Sequence, residues 1–444
     1  MNNISNLTRP ESFFCTIICS FFILSYFLSF EIGNIFNLRV RLEEVALVFI
    51  LLNLLYLIAT KKILSSIPIS IWFPFIVIYL YSLIVTLISF FTSPLNMTGI
   101  IYLIRDIQYF CVGFLFYVTY CSINKKSQFN KNLNFNLIEK TIIFSICLNI
   151  LWGLYQFISG DNRGHYHSVS AIGLDGSSAS SGISYFAAFV FAVFLYVKTG
   201  KFFLLGLGAL SLLNILLTSN RTFTIAAIIF LATWLLLTLY QNFKIFIVKA
   251  KIKKNTLIVF SLVFLIVASL YFIPQTIKSN NAIYKSFNSK FGIVTRLSKL
   301  EDGVSKRFKI IKQETENLNK YSFGYYFGTG KGYYESLHGK TKMGMHSQFS
   351  RLINEIGLFG TFMWILFFII LIFKFSRKGF LSPPLSKISI SFVFAFLSAL
   401  FSYDVLLISK SAFLFWIFIF IIFSCSNKKK RSIILTSNFS NEKA

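Results

Sequence analysis

The chain has 444 residues, 55% of them hydrophobic, with a mean hydropathy of +0.69 and a formal net charge of +27. That apolar fraction excludes an ordinary soluble enzyme, since one core of this size cannot hide so much oily surface, whereas a lipid bilayer can. The charge does not indicate nucleic acid, because most Lys and Arg sit in short clusters beside apolar runs and no polar segment carries a basic stripe interleaved with aromatics.

A spanning helix takes ~20 apolar residues. Twelve stretches qualify: 12–30, 42–60, 67–91, 99–121, 141–159, 182–198, 202–218, 222–241, 255–273, 356–374, 388–406 and 409–425. The first has no basic flank beyond Arg9 and no small-x-small cleavage site, so it reads as an uncleaved span rather than a signal peptide. The expected fold class is all-α, a polytopic helical membrane bundle of about twelve transmembrane helices with one large and one smaller loop on the outer side. With the N-terminus inside, the inner segments hold 23 Lys and Arg and the outer ones six, leaving aside the long segment 274–355. This asymmetry repeats loop by loop and places both termini inside. The expected organisation is a membrane domain over 1–273 with spans one to nine, a large outer loop over 274–355, spans ten to twelve within 356–425, and an inner tail over 426–444.

Two outer segments stand out. Segment 160–181 is rich in Gly and Ser and carries Arg163. The long loop holds 14 Lys and Arg, Arg296 among them, against six Asp and Glu; long loops cross a membrane regardless of charge and are more often functional than idle. Within it, Gly303 to Asn319 places Val304, Phe308 and Ile311 at helical spacing, which predicts an amphipathic helix on or near the membrane surface. The six cysteines lie in or beside apolar runs and show no disulfide or metal spacing.

The span interiors are nearly free of charge. Arg105 and Asp106 lie in span four, Arg221 and Asp404 near outer span ends. An unpaired Arg at bilayer centre costs about 2.5–3.5 kcal/mol, so Arg105 and Asp106 are expected to pair with neighbouring helices or to snorkel. Arg221 follows Ser219 and Asn220 at the outer start of span eight. The free N–H groups and partial positive charge of a helix start, joined by an Arg, make an anion site suited to phosphate; the alternative is an interfacial anchor. In the sequence GTGKG, Gly328, Gly330 and Gly332 allow close backbone approach around Lys331, and the pattern is not a Walker A loop. His346 stands just before span ten on the outer side, placed either as a base for a sugar hydroxyl or as a bystander. Arg351 and Glu355, four apart on the next helix, can pair with each other. No HExxH, GxSxG or zinc spacing occurs.

These features together resemble the bacterial O-antigen polymerases and O-antigen ligases. The match rests on Ser219-Asn220-Arg221-Thr222 and on Arg307-Phe308-Lys309-Ile310-Ile311 with Gly328-Thr329-Gly330 downstream. Its third part is His346-Ser347 followed by Leu352 through Gly360. It covers 218–375 closely and the rest in topology. One departure is in the shorter loop, where relatives place an Arg close before a Gly and this chain has Ser170 and Ala171 before Gly173, leaving the role to Arg163 or to nothing. The resemblance implies a GT-C-like fold in the bacterial inner membrane and a glycan donor linked to undecaprenyl pyrophosphate. It implies no nucleotide, metal or other cofactor, and a chain-length regulator protein as a partner. It implies Arg221 and Arg307 as the charges that meet the departing diphosphate, and His346 as the group that orients or deprotonates the acceptor hydroxyl, an effect worth about 10²–10⁴ in rate. Arg163, Arg296, Gly328, Gly330, Lys331, Arg351 and Glu355 would contact substrate. The leading expectation is a polymerase extending a lipid-linked repeat unit. A ligase passing glycan to lipid A-core stands beside it, as do, from other classes, a flippase of lipid-linked oligosaccharide and a glycan-binding structural or sensor protein. Flippases tend to carry deep charges and short external loops, the reverse of this pattern.

Overall fold

The structure, a computed structural model, describes residues 7–28, 31–35, 38–60, 69–92, 97–127, 135–159, 178–218, 220–249, 309, 312, 314–316, 318, 323–334, 347–402, 406 and 409–426. Among the described residues the chain is helical apart from one short hairpin. Its elements are α1 (Arg9–Leu28), β1 (Glu31–Ile35), β2 (Leu38–Arg41), α2 (Leu42–Ala59), α3 (Ile69–Thr92), α4 (Met97–Ser127), α5 (Leu137–Ser159), α6 (Ser178–Thr199), α7 (Phe203–Leu217), α8 (Arg221–Lys249), a single turn α9 (Gly324–Phe327), α10 (Gln348–Ser376), α11 (Pro383–Ser402) and α12 (Ser409–Ser426). The described residues form a helical membrane bundle, as expected, with one short addition, a hairpin in which β1 pairs antiparallel with β2 from Glu31 opposite Arg41 to Ile35 opposite Leu38. A search for spans of ~20 residues passes over strands this short.

Among the described residues, nine helices are long and apolar enough to cross a membrane, and α7 and α12 are shorter apolar helices. The expected span 255–273 lies outside the described residues. Apolar side chains point outward along the bundle: Phe13, Leu55, Ile69, Leu151, Leu236 and Phe373 are each more than 60% exposed. On a protein in water such a surface would aggregate; facing lipid it is solvated.

Two helices form the centre. Every residue of α6 from Ser181 to Tyr196 is buried, and so is α12 from Lys410 to Ser424. Small residues (Ser184, Ala187, Ala188, Ala192) let neighbours approach α6 closely, as membrane helix pairs require. Around α12 the packing is aromatic. Phe415 meets Phe396 at 4.7 Å, Phe418 meets Phe392 at 4.3 Å, and Trp416 meets Phe75 and Phe110 at 5.1 and 5.2 Å. Gly113 of α4 admits this helix, since a Cβ there would stand 2.8 Å from the Trp416 carbonyl oxygen. The abundant phenylalanine is thus a packing material, fitting rings edge to face where lipid and helix are equally oily.

The contacts sort the helix ends. The end of α1 meets the starts of α6 and α12 through Tyr26, Ser184 and Lys410, and the start of α8 meets that of α6 at Asn220 and Gly182. Gln348 at the start of α10 accepts the Leu406 N–H at 2.9 Å. The opposite end holds the Lys198–Glu139 ion pair, Lys201 over the Phe135 ring at 4.2 Å, and Lys387 beside Thr238 at 3.4 Å. Even-numbered helices therefore start at one end, and the lysine-rich turns lie at the other.

Candidate functional site

Helix α10 begins at Gln348, eight residues ahead of the expected start at 356. Its first turns carry Gln348, Ser350, Arg351, Asn354 and Glu355, all buried against protein rather than lipid, so hydropathy alone does not register them. The helix then breaks at Gly357, with φ 66° and ψ −176°. A Cβ at that position would stand 2.2 Å from the Tyr326 carbonyl oxygen, so the left-handed backbone and the close approach both demand glycine.

The glycine-rich segment docks into this break. Thr329 N–H and Oγ1–H donate to the Asn354 carbonyl at 2.7 and 2.9 Å, and Gly330 N–H donates to the Glu355 carbonyl at 3.0 Å. On the other side Lys331 N–H donates to Thr86 Oγ1 at 3.1 Å, and Tyr81 O–H donates to the Phe327 carbonyl at 3.2 Å. Gly328, Gly330 and Gly332 all have φ between 68° and 89°. Side chains there would strike the backbone of α10, Ser89 of α3 and the first turn of α4 respectively. Tyr81 lies about 12 Å along α3 from Ser89, where the apolar run ends. Residues 324–332 therefore lie alongside α3, from Tyr81 to Ser89, within its apolar run. Non-helical backbone is tolerated at such depth only where protein satisfies it, and these bonds do so.

The charges in this segment are paired. The Lys331 ammonium bridges to the Asp106 carboxylate of α4, with the two side chains 14% and 24% exposed. Burial pushes the Lys331 ammonium down, but Asp106 and Glu355 outweigh it and the net shift is upward. Arg351 donates to Glu355 Oε1 at 2.9 Å and stands 5.6 Å from the Tyr102 ring; Gly332 N–H donates to the same Glu355 oxygen at 3.3 Å. The pair, 2% and 5% exposed, ties the loop to α10. Behind it, Ser350 donates to the Glu314 carboxylate, and Asn354 Nδ2 donates to the Glu314 carbonyl at 3.2 Å. Within the expected amphipathic stretch, Lys309, Lys312 and Glu316 are exposed while Glu314 and Leu318 are buried, and Glu314 faces the start of α10.

Gly328, Gly330, Lys331, Arg351 and Glu355 thus come together in one cluster. Arg221 lies elsewhere, half-buried as the first residue of α8, whose neighbours are α11, α6 and α7. Asn220 caps that helix, its Oδ1 accepting the Phe223 N–H at 3.2 Å. His346, Arg307, Arg163 and Arg296 lie outside the described residues. Sequence reasoning passed over three polar groups at this end of the bundle. Asp106 was noted only as a residue in search of a partner. Lys410, counted only for topology, is fully buried and donates to Ser184 Oγ at 3.1 Å. Ser347, quoted only as part of a motif, precedes α10 without capping it, and its buried hydroxyl has no partner. The adjacency of Ser347 to His346 was the available signal. Among the described residues no three His, Cys, Asp or Glu side chains converge as a metal-binding group. Comparison with protein-family models and with characterised proteins finds no match.

Proposed function

We propose that this chain is a glycosyltransferase that takes a glycan from a polyprenyl diphosphate and passes it to an acceptor sugar hydroxyl at the outer face of a bacterial inner membrane. One observation carries the reading. A glycine-rich segment bearing Lys331 is held beside the membrane-crossing helices, at the start of the helix that His346 precedes. A lipid-linked donor has an anionic diphosphate at the water–lipid boundary and an oily tail below it. Cations on backbone that dips to that level suit such a molecule better than a water-soluble one.

In this reading the acceptor oxygen attacks the anomeric carbon and the bond from that carbon to the diphosphate oxygen breaks. The diphosphate departs with the electron pair, and the acceptor proton passes to His346. Arg221 and Arg307 meet the charge that develops on the leaving group, and Arg351 and Glu355 hold the loop that carries Lys331, whose ammonium is paired with Asp106. The preferred acceptor is another lipid-linked repeat unit, as in O-antigen polymerases, with undecaprenyl pyrophosphate as carrier, a twelve-span GT-C-like bundle, both termini inside, and a chain-length regulator as partner.

Deletion of the gene tests this directly on a lipopolysaccharide gel. The expected result is core capped by a single repeat unit, with the ladder restored by the wild-type gene and not by Arg221→Ala or His346→Ala expressed at wild-type level. A ladder in both variants removes the assigned roles. Uncapped core with long chains held on the carrier identifies a ligase instead, and an unchanged ladder in the deletion strain ends the glycan-transfer reading.

A further inference from the structure

The turn that opens the glycine-rich segment carries uncovered rings. Phe323, Tyr326 and Phe327 are 70%, 59% and 52% exposed. From Gly332 back to Phe327 the chain runs down α3. A Cβ at Gly332 would meet Thr98 and Gly99 at the start of α4, and one at Gly330 would meet Ser89 and Thr86. The Phe327 carbonyl accepts the Tyr81 O–H at 3.2 Å. The apolar run of α3 covers Ile69–Ser89, so Tyr81 lies about 12 Å inside its end. The aromatic turn therefore stands level with the interior of a helix long and apolar enough to cross a membrane. Its neighbours at that level are uncovered too: Ile84 of α3 is 56% exposed, and Phe359 and Phe362 of α10 are 50% and 60% exposed. The Tyr81 and Phe359 rings meet at 5.3 Å, and the Tyr326 carbonyl lies against Gly357, so the turn sits where the two helices adjoin. The outward apolar surface of α3 and α10 continues onto it.

The backbone gives an independent indication of the surroundings. Eight consecutive N–H groups, from Tyr326 to Tyr333, each have an acceptor within the chain. Tyr326 and Phe327 donate to the Phe323 carbonyl, Gly328 to Gly324, Thr329 to Asn354 and Gly330 to Glu355. Lys331 donates to Thr86 Oγ1, Gly332 to Glu355 Oε1 and Tyr333 to the Gly330 carbonyl. A loop in water can leave such groups to the solvent, whereas one among hydrocarbon chains cannot. The lone ammonium of the segment is likewise paired, with Asp106. Side chains are open while main-chain donors are closed, which is the pattern hydrocarbon demands and water does not.

We propose that residues 323–327 form an aromatic wedge inserted into the bilayer beside α3 and α10, with Phe323, Tyr326 and Phe327 in contact with lipid chains of the leaflet nearest the start of α10. Phe and Tyr suit that position, since their rings are at home where hydrocarbon meets head groups. The wedge fixes the depth at which the glycine-rich segment is held. It goes beyond the glycan-transfer reading and does not rest on it.

Nitroxide labels on single cysteines test the contact. Phe323→Cys and Tyr326→Cys are made in the full-length chain otherwise free of cysteine, labelled, and placed in phosphatidylcholine nanodiscs. Relaxation of each label is measured with oxygen, which concentrates in hydrocarbon, and with a nickel chelate, which stays in water. Phe362→Cys on the outward face of α10 and Lys378→Cys in the turn after it are the lipid and water references. Oxygen is expected to relax the labels at 323 and 326 several-fold more than nickel does, as at 362. Nickel dominance at both positions, as at 378, overturns the wedge. Protection of both labels from both reagents means that protein covers the turn, and overturns it as well. Neither result bears on glycan transfer, which the gel tests separately.

Discussion

Arg351 and Glu355 are charged residues whose worth lies in completing each other. Both are almost fully buried, and Glu355 also accepts from the loop at Gly332. Glu355→Gln removes the buried carboxylate that faces the Arg351 guanidinium and is expected to cost about 3–5 kcal/mol. The double variant Arg351→Met/Glu355→Leu, which removes both charges, should recover most of that loss; melting of the purified proteins in detergent checks the cycle. Glycines give a second residue-scale comparison. Gly379 and Gly357 have φ of 80° and 66°, but a Cβ at Gly379 meets nothing within 4 Å. Gly379→Ala therefore carries the left-handed backbone penalty alone, about 1–2 kcal/mol, whereas Gly357→Ala adds a collision with Tyr326 and should dislodge the loop, read as protease sensitivity near 324–334. Lys331 supplies the pH test. Its folded value lies above its ordinary one, so the stability it contributes is complete below the unfolded value of about 10.4 and is lost only as pH rises through the folded value. The melting difference between wild type and Lys331→Met should accordingly stay level through neutral and mildly alkaline pH and shrink only above the ordinary lysine range.

At the scale of elements, the loop and α10 are one unit built from two distant pieces of sequence. Nine of the twelve expected spans coincide with described helices long and apolar enough to cross a membrane, and two more with shorter apolar helices, because a long apolar run of uniform composition has few other solutions in lipid. Hydropathy missed the polar opening of α10, since that stretch is buried by protein contacts that a window average cannot see. The start of α8 was legible to within one residue, expected at 222 and found at Arg221, and Asn220 caps it by accepting the Phe223 N–H. Asn220→Ala should lower stability by about 1 kcal/mol, measured by melting, with the helix content of the protein unchanged. The glycines of GTGKG announced a close approach. What they approach, the kink in α10 and the C-terminal half of α3, depends on pairings far apart in sequence and had no local signal.

For the whole molecule, the sorting of helix ends gives a test of orientation. Thr8, Gly200 and Gly379 lie at the end opposite the loop that contains Tyr334. Cysteines placed singly at these positions in a chain otherwise free of cysteine, then treated with a membrane-impermeant maleimide in intact cells, should react at 334 and not at 8, 200 or 379. Reaction in the reverse pattern would place the glycine-rich loop on the cytoplasmic side and end the proposed transfer at the outer face. Charge bias is what predicts this orientation from sequence, because Lys and Arg segregate by side even when the helices between them look alike. The buried polar groups Asp106, Ser181, Ser347 and Lys410 were not readable, because a single polar residue at the rim of an apolar run looks the same whether it faces water, lipid or a partner.

The break at Gly357 has a mechanical consequence. Residues 348–356 are fastened by hydrogen bonds to 329, 330 and 332, while the remainder of α10 is gripped by aromatic rings of α12 and by α11. The helix is thus two rods joined at one glycine and held by different parts of the molecule. Removing the loop would strip hydrogen bonds from the first rod alone and leave the aromatic grip on the second in place.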